Sequence, residues 1–321
     1  MQITYFRKFI FFFILCVLFP AWLYGQHSPY PKSPVIKNIH FSWSFHIRLA
    51  PGSDNWPVAW AGDNHQYLVW GDGGGFGGTN GIGRSSIGVA RVEGNWHDFK
   101  TTNIWGGYQP VKDHKVTGKS YGIICINDIL YMWVGMMNVS KDPFKEVKIA
   151  YSKDYGQSWN FTDWSLKRKN YIMMPTFCNY GKNYQGARDD YVYSYLIRFQ
   201  SYEGPDDYPD KVDWLNCQKP GIIDLARVHK SKLLQRDAYS FFRGMKEGKP
   251  TWTKEVKDRK PVFENPDGVG WCMNVSYNTG LERYILTTEH TETHRGNISI
   301  FDAPEPWGPW TTVYYKENWG E

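Results

Sequence analysis

The sequence is poor in the features that would mark several large classes of protein. No block of Lys and Arg occurs, and the net charge of +5 is spread over 321 residues, so the footprint of a nucleic-acid binder is absent. There is no C-x-x-C pair. The four cysteines beyond the N-terminal segment, Cys125, Cys178, Cys217 and Cys272, are too widely spaced for a disulfide framework, although one bridge would be permitted in an exported protein. No G-x-S-x-G, H-E-x-x-H or Walker pattern is found, which leaves no serine-hydrolase elbow, zincin helix or phosphate loop. Gly73-Gly-Gly75-Phe-Gly-Gly78 formally matches G-x-G-x-x-G, but no helix follows, so it reads as a mobile wall rather than a dinucleotide site. Two histidines four apart, His290 and His294, sit in a loop-like stretch and read as a polar turn, so neither a metal nor another cofactor is expected. Helical periodicity is nearly absent. Ser231 to Met245 is the single stretch predicted as helix, a short insertion.

Aromatic residues are abundant: 16 Trp, 22 Tyr and 18 Phe. Most are expected to fill wedges between twisted sheets, and a few to line a groove where a sugar face could stack. Ser152-Lys-Asp154-Tyr-Gly156-Gln-Ser-Trp159 spells S-x-D-x-G-x-x-W. Asp154 can bond a nearby amide and tighten a turn, Gly156 can take positive φ, and Trp159 can plug a gap between neighbouring strands. This pattern resembles the Asp-box of sialidase-like β-propellers, many of which act on carbohydrate. It speaks for architecture, because such boxes sit away from the active face.

Arg7 and Lys8 precede the apolar run Phe9 to Phe19, and a weak small-residue cleavage site lies near Gly25. This reads as a secretory signal peptide over residues 1–25, too short for a comfortable transmembrane helix, with export to the periplasm, cell surface or medium. Membrane contact is expected only through this segment if it stays uncleaved. Asn138, Asn160, Asn274 and Asn297 each open an N-x-S/T triplet.

Residues 26–321 read as one all-β domain of short strands punctuated by Gly, Asp and Asn. Four sets recur: Trp56–Trp60, Tyr67–Trp70 and Ile87–Val92; Ser120–Ile126, Ile129–Val134 and Val147–Tyr151; Tyr191–Ile197 and Ile222–Val228; Asn274–Tyr277, Arg283–Thr287 and Ile298–Phe301. A spacing of about 60 to 75 residues fits four-stranded antiparallel blades of a propeller. A fifth blade would join Ile36 to Leu49 with the C-terminal end.

In such a blade the first strand leaves one face and the second returns to it. Residues before strand one and after strand two therefore meet at one mouth. That logic gathers Asp54, Asp72, Asp190 and Glu289 as candidate catalytic carboxylates. Trp56, Lys119, Tyr121, Arg188, Asp189, Trp271, Asn274 and His290 are candidate substrate contacts. Asp63, in the first hairpin, falls on the opposite face. Paired carboxylates suit glycoside cleavage, one protonating the leaving oxygen while the other attacks the anomeric carbon or activates water. A plainer reading of any one of them is a strand-end turn cap.

Ser53-Asp-Asn-Trp-Pro-Val-Ala-Trp60, Trp70-Gly-Asp-Gly-Gly-Gly-Phe76, Gly118-Lys-Ser-Tyr-Gly122, Asp224-Leu-Ala-Arg-Val228, Gly268-Val-Gly-Trp271 and Ile300 to Trp310 together resemble the family catalogued as domain of unknown function 4185 (DUF4185). The resemblance implies a five-bladed propeller. Some members of the wider family are endo-D-arabinanases, and it implies an acidic site on Asp54 and Asp72. Ala61-Gly-Asp63 departs from the pattern, which would have two adjacent acids. The sequence thus points to an exported, monomeric glycoside hydrolase acting on a polysaccharide or oligosaccharide. Its rivals are a non-catalytic glycan-binding propeller and a protein-interaction platform.

Overall fold

A computed structural model describes residues 28–137, 146–167, 172–198 and 216–319. The N-terminal apolar run and Asn138 lie outside the described residues.

Among the described residues the chain is built mainly of antiparallel strands, with only short 3-10 turns between them. The first unit is β1 (Val58–Trp60), β2 (Gln66–Gly71), β3 (Ile87–Asn95) and β4 (Asp98–Trp105), hydrogen-bonded in that order. The second is β5 (Gly118–Ile126), β6 (Ile129–Met136), β7 (Glu146–Ser152) and β8 (Asn160–Phe161), with β9 (Leu166–Lys167) also on β7. The third is β10 (Ile172–Asn179), β11 (Tyr191–Arg198) and β12 (Gly221–His229). Its outer position is shared by β13 (Ser240–Lys246), which carries β14 (Lys249–Thr253), and by β15 (Pro261–Asn265). The fourth is β16 (Asn274–Asn278), β17 (Arg283–Glu289), β18 (Ile298–Ala303) and β19 (Thr311–Lys316). The first strands adjoin: β5 touches β1, β2 and β10, and β10 runs parallel to β16 through Cys178 and Asn179.

The core lies between units rather than inside one. Along β5, Ile123 and Cys125 pack toward the first unit with Tyr67, Val69 and Val89, while Ile124 and Ile126 join the other cluster with Phe177 and Tyr195. This is the period-two alternation of a strand buried on both faces. Tyr121 breaks the phase. A β-bulge between Ser120 and Gly122 turns it to the same side as Ile124, where it is 7% exposed.

The Asp154 turn follows β7, at the end of the blade away from where β5 begins. Asp154 accepts from the Ser158 amide (2.9 Å) and both Ser152 and Ser158 hydroxyls, while Ser152 Oγ takes the Gly156 amide at φ 89°. Trp159 packs 6.1 Å from Trp105 of the first unit, the plug between strands that its position implied.

One expectation needs correction. Ser231 to Met245 is not a helix: 3-10 turns span Lys230–Lys232 and Arg236–Ala238, and β13 begins at Ser240. Only the nine residues from Ser231 to Tyr239 precede that strand, too few to offset helix nucleation. The aromatic Tyr239-Ser-Phe-Phe242 run instead finds a strand partner in β12 and buried neighbours. Residues 36–49 hold a 3-10 turn at Trp43–Phe45 and no strand. Phe41 and Trp43 lean on Trp319, and Phe41 on Tyr314.

Candidate active site

Asp54 and Gly71 exchange both backbone hydrogen bonds (3.0 and 2.8 Å), so the residue before β1 and the residue ending β2 meet at one face. The two residues that follow them, Asn55 and Asp72, both sit at φ 53°. Left-handed backbone is unusual outside Gly but tolerated by Asn and Asp. It aims the Asp72 carboxylate across the mouth to Lys119 Nζ (2.6 Å) at the start of β5 and to Arg84 (3.1 Å). Lys119 is 12% exposed and its stem lies over Gly71, where a Cβ would come within 3.2 Å of Lys119 Cδ.

Asp54 keeps a face open to solvent, yet the protein around it strips enough water to raise its proton affinity above the usual aspartate range. Lys119 and Arg84 oppose this shift and Asp72 adds to it. Its Oδ1 accepts from Asn55 Nδ2 (3.1 Å), and Asn55 Oδ1 accepts from the Cys272 thiol (2.5 Å) just before β16. The first and fourth units are thereby hydrogen-bonded across the mouth.

Glu289, ending β17, is half-buried. Loss of hydration raises its pKa, opposed by the His294 amide, which donates to Oε1 at 3.4 Å, and by the His294 ring. The Gly270 amide donates to the Glu289 carbonyl (3.0 Å), and a Cβ at 270 would meet Glu289 Cβ at 2.6 Å, so the position demands glycine. Both Glu289 and Asp54 act electrostatically on the Cys272 thiol, whose pKa burial pushes well up. The buried Tyr121 lies within the field of Cys272, Asp54 and Asp72 and packs edge-on to Trp271 (5.7 Å); Trp271 in turn neighbours His294 (6.0 Å). Trp56 stacks on Trp70 (5.5 Å) and Phe76 (5.3 Å) below the Gly-rich loop, and Asn274 is exposed at the head of β16.

That loop is tied down rather than free. Asn103 Oδ1 accepts the Phe76 amide, and its Nδ2 donates to the Phe76 and Tyr108 carbonyls; Ser53 Oγ takes the Gly75 amide.

Arg188, Asp189 and Asp190 do not belong to the mouth. They precede β11, which is the second strand of its unit, so they share the opposite face with Asp63. Asp189 accepts from the Tyr191 amide and the Tyr193 hydroxyl (2.9 and 2.6 Å), as Asp63 accepts from His65 and Tyr67 (3.0 and 2.7 Å). The two are the same turn cap in two blades. Asp190 makes an exposed pair with Lys230, and Arg188 binds Glu305 and the Pro304 carbonyl. His290 is buried, stacked on Tyr315 and turned to the Lys316 carbonyl, a packing role. Arg84, Asn55 and Cys272 were missed. Each sits one residue from a glycine or from a site candidate, the only sequence signal they carry. Among the described residues no cluster of three or more His, Cys, Asp or Glu forms a metal site.

The family model described as Domain of unknown function (DUF4185) matches residues 110–318. No curated protein matches the chain in sequence. Among solved structures, the chain is similar to a candidate hydrolase from Bacteroides ovatus (TM-score 0.50, 11% identity, 85% of this chain and 72% of that one). It is also similar to the RS223 β-xylosidase (TM-score 0.48, 14%, 84% and 80%) and to a GH43_1 enzyme from Xanthomonas citri complexed with xylotriose (TM-score 0.46, 12%, 85% and 74%). At these identities the likeness concerns the course of the backbone.

Proposed function

The chain belongs to the DUF4185 family, and from its own residues we propose that it is a glycoside hydrolase acting on a polysaccharide at the mouth shared by the first, second and fourth blades. The observation that carries the reading is the pair Asp54 and Glu289. They come from different blades, both lose water and gain proton affinity, and both act on one thiol between them. An acid whose proton is held above the ordinary carboxylate range and a second carboxylate at the same mouth are what glycosidic cleavage needs.

In this reading Glu289 gives its proton to the glycosidic oxygen as the bond from that oxygen to the anomeric carbon breaks. Asp54 acts from the other side, taking a proton from the attacking water or adding to the anomeric carbon before water displaces it. One water is consumed in either course. Asp72, paired with Lys119 and Arg84, positions Lys119, the cation that most opposes the rise in Asp54 proton affinity. A propeller that only binds glycan would use the partly exposed Trp271, which the buried Tyr121 backs, without needing either carboxyl.

The test is Asp54→Asn against Asp63→Asn on a panel of plant, fungal and mycobacterial polysaccharides. Turnover should fall by orders of magnitude in the first and persist in the second, both remaining folded. Equal turnover would remove Asp54 from the chemistry and favour the binding reading. Export and a fifth blade are parts of the same proposal. Ser33 donates to the Thr312 carbonyl (2.8 Å), so the chain leading into residues 36–49 already runs beside β19. Slow amide exchange across 36–49 would support a fifth blade, and exchange at the rate of free peptide would reject it. An exported chain beginning near Gln26 would support export, and an intact Met1 on a cytoplasmic protein would reject it.

A further inference from the structure

Glu289 also lines a cavity of ≈ 240 Å³ whose other walls include Cys272, Thr287, Asn297, Ile298 and Trp319. The cavity would hold about eight waters at roughly 30 Å³ each, the scale of a single sugar ring. Its walls are fixed. Asn297 Nδ2 donates to the His290 carbonyl (3.2 Å) and its Oδ1 accepts the Asn318 amide (3.1 Å). The Trp319 amide donates to the Gly296 carbonyl (2.6 Å), and its ring is braced by Phe41 and Trp43 at 5.1 and 5.3 Å.

One wall group is unsatisfied. Among the described residues, the Trp319 indole N–H is buried with no acceptor, so it is the ring and not the N–H that Trp319 can offer to the cavity. The lining mixes an aromatic ring and aliphatic atoms with a hydroxyl and a carboxyl, which matches a sugar's C–H face and hydroxyl rim. It contains no cation, and Glu289 would repel an anion.

We infer that this cavity is a subsite for one neutral sugar unit, seated against the Trp319 side chain beside the acid Glu289. The inference rests on the hydrolase reading above. It adds a choice of substrate: neutral glycans over uronic-acid glycans.

The experiment titrates neutral trisaccharides (xylo-, arabino-, manno- and galacto-) and trigalacturonate into Asp54→Asn protein, which should bind without turnover. At least one neutral trisaccharide should bind, and trigalacturonate more weakly. Adding Trp319→Ala should weaken that binding about tenfold or more, and Trp319→Phe, which keeps an aromatic face, should weaken it less. If Trp319→Ala lowers the melting temperature into the assay range, Thr287→Trp decides, since it fills the cavity from the blade side: lost binding supports the subsite and retained binding overturns it. Unchanged affinity in folded Trp319→Ala, or preference for trigalacturonate, overturns the subsite while leaving hydrolysis standing. If the parent neither binds nor cleaves any glycan, the hydrolase reading falls and the subsite with it.

Discussion

Lys119 Nζ lies 2.6 Å from Asp72 Oδ1, and the two residues belong to different blades. The pair fixes the second blade to the acidic edge of the first and sets the charge that Asp54 feels. Lys119→Met should leave the fold intact, because the stem packing over Gly71 is kept. Without the cation, the proton affinity of Asp54 rises further, since Lys119 is the group that most lowers it. The acidic limb of a pH–rate profile, which reports deprotonation of the base, should therefore move to higher pH. An unmoved limb with unchanged turnover would show that Lys119 does not act through Asp54.

Glu289 is held with a raised pKa, so the folded state binds its proton more tightly than the unfolded chain does. By linkage, this group destabilises the fold once the pH passes the ordinary glutamate range, and the penalty is complete above the raised folded value. Glu289→Gln should accordingly melt higher than the parent at pH 7, with the gain shrinking as the pH falls toward 4. Equal melting curves at both pH values would mean that the carboxyl is not held against its preference.

Asp189→Asn and Asp190→Asn separate turn caps from site residues. Asp190 is an exposed partner of Lys230, so its loss should leave the urea unfolding midpoint essentially unchanged. Asp189 caps Tyr191 and Tyr193, and its replacement should destabilise by about 1–2 kcal/mol in urea unfolding. Neither variant should lower turnover on a substrate the parent cleaves. A large loss in either would return this face to the chemistry.

Asp154→Ala removes the acceptor of the Ser158 amide and of two hydroxyls at the turn that seats Trp159. A loss of about 1–3 kcal/mol in unfolding free energy is expected, with turnover intact. Burial pushes the Asp154 pKa up, but the bonds from Ser158 and Ser152 outweigh it and the net shift is downward. Its stabilisation is thus present above the ordinary aspartate pKa and lost as the pH falls through the lowered value. The variant and the parent should converge in stability in strong acid.

The same turns show how far the sequence can be read. The strands of the four sets stand where β-branched and aromatic runs between turn residues put them, and the mouth pairing of Asp54 with Asp72 follows from that order. The first strand of the third unit was illegible, and so were the outer strands, but only the former misplaces site candidates. Ile172–Asn179 contains Pro175 and two Met, a composition poor in strand signal, and the ladder is bulged between Met173 and Thr176 to admit the proline. With β10 unseen, β11 reads as a first strand instead of a second, and Arg188, Asp189 and Asp190 land on the wrong face. Cys272, Asn55 and Arg84 were illegible for another reason: their importance comes from neighbours in other blades, which no local pattern encodes.

Gly270 carries a consequence for variation in this chain. The acid Glu289 has a neighbour with no side chain, and any Cβ placed there would press on Glu289 Cβ at 2.6 Å rather than on the tip of a side chain that could swing away. A single methyl group at 270 is therefore a mechanical off-switch. It would displace the carboxyl while every charged and aromatic residue of the mouth keeps its identity, so a variant of this chain altered at 270 could look complete to anyone who checked only the side chains that line the mouth.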